Sequence, residues 1–119
     1  MQRILLAEDD ESMRRFLTRA LERAGYEVRA FCDGSQAYRC LRREPFTLLL
    51  TDIVMPEMDG IELARRAADL DPDLKIMFIT GFAAVALHPE STAPRNAKIL
   101  SKPIHLRHLV DEVDRLLAA

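Results

Sequence analysis

Five side chains of this 119-residue chain have the types and spacing to act together on a phosphoryl group: Glu8, Asp9, Asp52, Thr80 and Lys102. Each closes or follows a short apolar run. "RILLA" (3–7) leads into Glu8 and Asp9, "FTLLLTD" (46–52) ends on Asp52, "LKIMFIT" (74–80) ends on Thr80, and "AKILS" (97–101) precedes Lys102. Three carboxylates held close cannot all stay ionised cheaply unless a cation neutralises them. Oxygen-only ligands select a hard ion, and Mg2+ takes one or two carboxylates beside waters and phosphate oxygens. Lys102 offers a compact positive charge for a phosphoryl oxygen or for Asp52 itself. Thr80 offers a hydroxyl donor to the same group. Gly81 keeps the wall small enough to admit a phosphate. One carboxylate is then left to attack phosphorus and form an aspartyl phosphate. Asp52 is best placed, standing between the acids on one side and Thr80 and Lys102 on the other.

Taken singly, each of these is an ordinary loop residue. Acids near a helix start are stabilised by the helix dipole, which accounts for Asp10 and Glu11 without any site. The coincidence at the ends of four apolar runs carries the reading. No histidine or cysteine cluster suits zinc: His88, His105 and His108 lie outside the acidic positions, and Cys32 and Cys40 read as free, small, buried thiols of a reduced protein.

These residues meet only if the elements bring the run ends to one edge. The four runs and "EVRAF" (27–31) read as strands. Between them lie helical patterns. Met13, Phe16, Leu17, Ala20, Leu21 and Ala24 recur at helical spacing before the stop signal Gly25. "DGSQAYRCLRRE" reads as a short helix starting near Asp33. Asp59 and Glu62 have capping-box spacing and open a helix over 60–70. Leu106, Leu109, Val110, Val113, Leu116 and Leu117 form the stripe of a last helix. Between 81 and 97, Pro89 and Pro94 interrupt the pattern, so only a short helix near 83–88 is expected there. Strands alternating with helices predict a parallel sheet covered on both faces, which binds its ligand at the carboxyl ends of the strands.

The totals exclude other classes. With 17 basic against 19 acidic side chains there is no electrostatic footprint for nucleic acid or an anionic membrane surface. No apolar run approaches the roughly 20 residues that span a bilayer, and "MQRILLAEDD" is no signal peptide. One cytoplasmic domain over 1–119 is expected.

The stretches "ILLAEDDESMRR", "LLLTDIVMPEMDG", "IMFITGF" and "LSKP" resemble the receiver domain of bacterial two-component response regulators, over essentially the whole chain. The resemblance implies an α/β, flavodoxin-like, doubly wound (βα)5 fold with a five-stranded parallel sheet in the order 2-1-3-4-5. It implies Asp52 as phosphoacceptor, fed by a histidine kinase or a histidine phosphotransferase. Asp9 would be the direct Mg2+ ligand and Glu8 a ligand through water, with Asp52 and the backbone carbonyl of Val54 completing the protein's share. Thr80 is the switch hydroxyl and Lys102 the phosphate-sensing lysine. The Lys102–Pro103 bond is expected to be cis.

Three positions depart from the family's pattern. Ile99 stands where an aromatic residue is frequent, so the output switch is expected to run through Thr80, the 81–96 segment and Lys102. Val54 and Phe82 flank the phosphoryl position and are apolar, so slow self-dephosphorylation is expected. Phe82, Ile99 and Ile104 mark the expected output surface, on an 81–119 face that changes its protein partners.

The runs "LLTDIVMPEMDGIELARRA" and "ITGFAAVAL" resemble most a single-domain class with no output domain. That class takes phosphate through a phosphorelay and, when unphosphorylated, helps the ClpX unfoldase deliver substrates for proteolysis. Ala118 and Ala119 resemble a C-terminal degradation tag, against the alternative of an ordinary frayed helix end. A monomer or weak dimer is expected. The chain is expected to catalyse no reaction beyond its own phosphorylation and dephosphorylation. A phosphate shuttle without output stays open, as does an aspartyl-phosphate phosphohydrolase. The latter often carries a second Asp two residues on, where Val54 stands.

Overall fold

The computed structural model describes residues 2–81, 87–88 and 90–118. Five strands form one parallel sheet: β1 (Arg3–Ala7), β2 (Glu27–Phe31), β3 (Leu48–Thr51), β4 (Lys75–Thr80) and β5 (Lys98–Ser101), in the order β2-β1-β3-β4-β5. Four helices are found among the described residues: α1 (Glu11–Arg23), α2 (Gly34–Leu41), α3 (Gly60–Leu70) and α4 (Leu106–Leu117). The short helix expected near 83–88 falls largely outside the described residues, as do Phe82 and Ala119.

The apolar runs become central strands because both faces of the sheet are covered. Side chains alternate along each strand, so neighbours in register build two separate layers. Leu5, Leu49 and Ile76 stand level across β1, β3 and β4 and pack with Ala37 of α2 and with Leu63, Ala64 and Ala67 of α3. Leu6, Leu50 and Met77, one step along, pack with Leu17 and Leu21 of α1 and with Leu109 and Val113 of α4. Each fully buried leucine contributes about 1.5–3 kcal/mol. The polar strand ends are therefore fixed by the apolar residues behind them.

The structure refines several sequence readings. β3 is shorter than 46–52: Phe46 is buried ahead of it, and Asp52 lies one residue past its end. Phe16 points away from the core and is 51% exposed, although it falls in the apolar repeat of α1. Cys32 is exposed and only Cys40 is buried, both as free thiols. The Asp59 side chain caps α3 by accepting from the Glu62 N–H at 2.9 Å, but the Glu62 carboxylate turns to Arg65 and Arg66, so half of the capping box forms. Arginine forks 2.7 Å away outcompete a single backbone N–H for that carboxylate. No helix among the described residues is long and apolar enough to cross a membrane.

Candidate functional site

The carboxyl ends of β1, β3, β4 and β5 meet at one edge of the sheet. β1 neighbours β2 on one side and β3 on the other, so the chain leaves its carboxyl end in opposite directions and opens a crevice there. Glu8, Asp9 and Asp52 line it, with carboxylate oxygens within 4.8 Å of one another. The Lys102 ammonium lies 3.1 Å from Glu8 Oε1 and 2.9 Å from Asp52 Oδ2. Ends of three different strands thus deliver three acids and one base to a single point.

Each acid is held differently. Glu8 is 1% exposed; its N–H donates to the Phe31 carbonyl at 3.0 Å, and its Oε2 accepts from the Asp10 N–H at 3.2 Å. Asp52 is 8% exposed; its Oδ1 accepts from the Ile53 N–H at 2.7 Å, and its own N–H donates to the Ala7 carbonyl at 3.0 Å. Asp9 is exposed, and its carboxylate makes no hydrogen bond or ion pair among the described residues. Asp10 is the N-cap of α1, accepting from the Met13 N–H at 3.0 Å, and Glu11 pairs with Arg15. The four consecutive acids divide two and two, between the crevice and the helix.

Burial pushes the Glu8 carboxyl above the ordinary glutamate value, against the opposing pull of the Asp10 N–H and Lys102. Burial also pulls the Lys102 ammonium down, but its hydrogen bonds to Asp52 and Glu8 outweigh that, and it stands above the ordinary lysine value. Three carboxylates against one ammonium leave a formal charge of −2 in the crevice. A hard divalent cation matches that charge and an all-oxygen donor set. The residues present fit Mg2+.

The loop after Asp52 is braced from two sides. A Cβ on Gly60 would lie 1.8 Å from the Asp52 carbonyl oxygen, so only glycine lets α3 start this close, and the Gly60 N–H donates to the Ile53 carbonyl at 2.7 Å. A Cβ on Gly34 would meet the Met58 carbonyl oxygen at 2.2 Å, which seats α2 on the same loop. Glu57 adopts φ 68°, the left-handed region that non-glycine residues enter rarely. The buried Thr51 hydroxyl donates to the Asp52 carbonyl at 2.7 Å.

The other predicted residues take these places. Thr80 is the buried last residue of β4, and its carbonyl accepts from the Lys102 N–H at 2.9 Å. Gly81 is exposed, and a Cβ there would meet nothing within 4 Å. Val54 is 55% exposed beside Asp52. The Lys102–Pro103 peptide is cis. Ile99 packs on the α2/α3 side of the sheet and Ile104 on the α1/α4 side, so a surface holding both wraps around the β5 edge. His88 accepts from the Glu90 N–H, and His105 is the N-cap residue of α4 without a side-chain bond, both away from the crevice.

Sequence reasoning missed Arg14. Its guanidinium donates to the carbonyls of Glu8 at 2.9 Å and Asp9 at 3.4 Å. The available signal is that a helical side chain leans toward the N-terminus, so a long residue in the first turn covers the loop before it.

The sequence profile of the response regulator receiver domain matches residues 4–114. The response regulator receiver protein CpdR of Brucella abortus (strain 2308) is 71% identical over 119 residues, spanning 100% of this chain and 99% of that protein. The sensor kinase CckA of the same organism is 33% identical over 116 residues, 96% of this chain but only 12% of the kinase. Among solved structures, the response regulator TrrA of Thermotoga maritima in complex with Mg2+–BeF superposes with a TM-score of 0.87 at 27% identity, covering 98% of this chain and 100% of that one.

Proposed function

The chain belongs to the response regulator receiver domain family, a phosphorylation-controlled switch of two-component signalling, and on that premise we propose that Asp52 is its phosphoacceptor. The observation that carries this is the clustering of Glu8, Asp9 and Asp52 within 4.8 Å under Lys102. The Ile53 N–H and the Lys102 ammonium hold one oxygen each, so the Asp52 carboxylate cannot rotate. Each oxygen keeps a further lone pair for reaction.

The phosphodonor is a phosphohistidine of a kinase or phosphotransferase. A carboxylate oxygen of Asp52 attacks phosphorus, the P–N bond breaks, and the donor imidazole leaves with the electron pair and takes up a proton. The product is an acyl phosphate on Asp52. Lys102 meets the new phosphoryl oxygens at the position where it now holds Asp52 and Glu8. The Thr80 hydroxyl, at the end of the neighbouring strand, is the donor that registers the modification. Glu8, Asp9, Asp52 and the Val54 carbonyl would hold Mg2+, which would neutralise the acids and the phosphoryl oxygens. Gly81 leaves the mouth open, and exposed Val54 places no polar group there to orient water, so the acyl phosphate hydrolyses slowly.

The likeness to CpdR supports a finer reading of the output. The unphosphorylated form assists a partner unfoldase of the ClpX kind, and phosphorylation withdraws it through the 81–119 face. A phosphate shuttle, with no partner sensitive to the modification, is the second reading. Incubation with Mg2+ and a small phosphodonor is expected to modify wild type and leave Asp52→Asn unmodified. Modification that persists in Asp52→Asn would overturn the site. Capture of ClpX with and without beryllofluoride separates the two outputs: equal binding in both states favours the shuttle. An adduct that decays within the mixing time would overturn the slow-hydrolysis reading.

A further inference from the structure

Of the three acids in the crevice, Asp9 is the one whose carboxylate has no partner among the described residues. Glu8 is fixed by Lys102 and the Asp10 N–H, and Asp52 by Lys102 and the Ile53 N–H. The Asp9 carboxylate is exposed and unpartnered among the described residues. Its direction therefore depends on its backbone. The loop is anchored before it by the Glu8 N–H on the Phe31 carbonyl, and after it by Asp10 as N-cap. Between those anchors, the Asp10 N–H holds the second peptide unit from its donor side, on Glu8 Oε2, and the Arg14 guanidinium holds both units from their acceptor side, its Nη1 donating to the carbonyls of Glu8 at 2.9 Å and Asp9 at 3.4 Å.

We propose that Arg14 is a positioning residue of the cation site: by gripping the two carbonyls it aims the Asp9 carboxylate at the point where Glu8 and Asp52 already converge. Arg14 touches neither cation nor phosphate in this role. A guanidinium suits it because its Nη1 alone carries two N–H donors and can serve two carbonyls at once, at the end of a side chain long enough to reach back over the loop. The role makes an unusual demand on sign. A positive charge beside a cation site opposes cation binding, so on Coulomb grounds alone its removal tightens Mg2+. Loss of a residue that orients a ligand instead weakens it. The two effects point in opposite directions, and the affinity of the variant decides between them.

The inference rests on the Mg2+ reading of the crevice, and the experiment separates the two. Mg2+ is titrated calorimetrically into wild type, Arg14→Met, Arg14→Lys and Asp9→Asn, with thermal unfolding recorded without metal. Arg14→Met is expected to bind Mg2+ about tenfold more weakly than wild type. Its metal-free unfolding temperature is expected to stay unchanged. Arg14→Lys, which retains donors and charge, recovers most of the affinity. Amide exchange at Asp9 and Asp10 is expected to quicken in Arg14→Met, with the interior of α1 unaffected. Should Arg14→Met fail to fold, Arg14→Gln, whose amide is too short to span both carbonyls, is expected to show the same weakening. Binding by the Arg14 variant that equals or exceeds wild type would overturn the positioning role while leaving the Mg2+ site standing. Wild type that binds no Mg2+, or Asp9→Asn that binds like wild type, would overturn both.

Discussion

Glu8 at the sheet edge and Glu62 in the first turn of α3 are both ion-paired, yet their carboxyls shift in opposite directions. Glu62 accepts from Arg65 and Arg66 at the surface, and the two guanidinium forks hold it down at about 2. Glu8 has Lys102 at 3.1 Å, but burial dominates and its carboxyl rises. Pairing in solvent costs little desolvation, so attraction wins; pairing inside the crevice leaves a desolvation penalty that one shared ammonium does not offset. The α3 pairs tidy a surface. The crevice holds acids in a state that a divalent cation would improve, the arrangement expected of a binding site.

The sharpest way to break the contrast is to move the crevice backbone. Gly60→Ala would place a Cβ 1.8 Å from the Asp52 carbonyl oxygen, a clash with backbone that no rotamer relieves. A loss of about 3 kcal/mol in urea-unfolding stability is expected, at the upper end of overpacking costs, together with weaker Mg2+ binding. Gly81→Ala is the control, because its Cβ meets nothing within 4 Å; a change within about 0.5 kcal/mol is expected there. Equal losses at both positions would mean that the Asp52 loop is not built on the Gly60 contact.

How much of this was readable from residues follows the same division. The strand-end acids stood out because apolar runs stop abruptly at them, and the order of the sheet then places them together. That Asp10 and Glu11 serve the start of α1 was readable from the helix dipole, and the structure adds that Asp10 is the N-cap. Contacts made by the fold were not. Glu112 interrupts nothing in the last helical stripe, yet it is buried because Lys98 of β5 and Arg115 reach it at 3.3 and 2.8 Å. Phe16 fits the repeat of α1 yet half of its surface stays exposed. The crowding at Gly60 depends on how closely α3 approaches the end of β3, a tertiary distance with no local signature. Local periodicity finds where the chain turns, whereas which polar group ends up desolvated depends on what packs over it.

A middle-sized test acts on Glu8 itself. Because burial disfavours its charge, Glu8→Gln is expected to stabilise the metal-free protein by about 1 kcal/mol at neutral pH. Lys102 keeps Asp52 as its partner in that variant. The same change is expected to weaken Mg2+ binding, so the gain reverses when Mg2+ is added in excess. Loss of stability in Glu8→Gln without metal would mean that the Glu8–Lys102 pair outweighs its desolvation, and the contrast with Glu62 would shrink to one of degree.

The smallest effect lies on α3. Glu62 is lowered from 4.5 to about 2 by Arg65 first and Arg66 second. A depressed carboxyl binds fewer protons folded than unfolded, so it contributes stability above the unfolded value and loses it as pH falls from 4.5 toward 2. Wild type is therefore expected to lose slightly more stability over that window than Glu62→Gln, in low salt. The difference is expected to fade as salt rises, since the pairs are solvent-exposed and screened. Denaturant titrations at several pH values and two salt concentrations read this directly. A difference that survives high salt would show that the α3 pairs are sheltered like the crevice, and that exposure is not what separates the two glutamates.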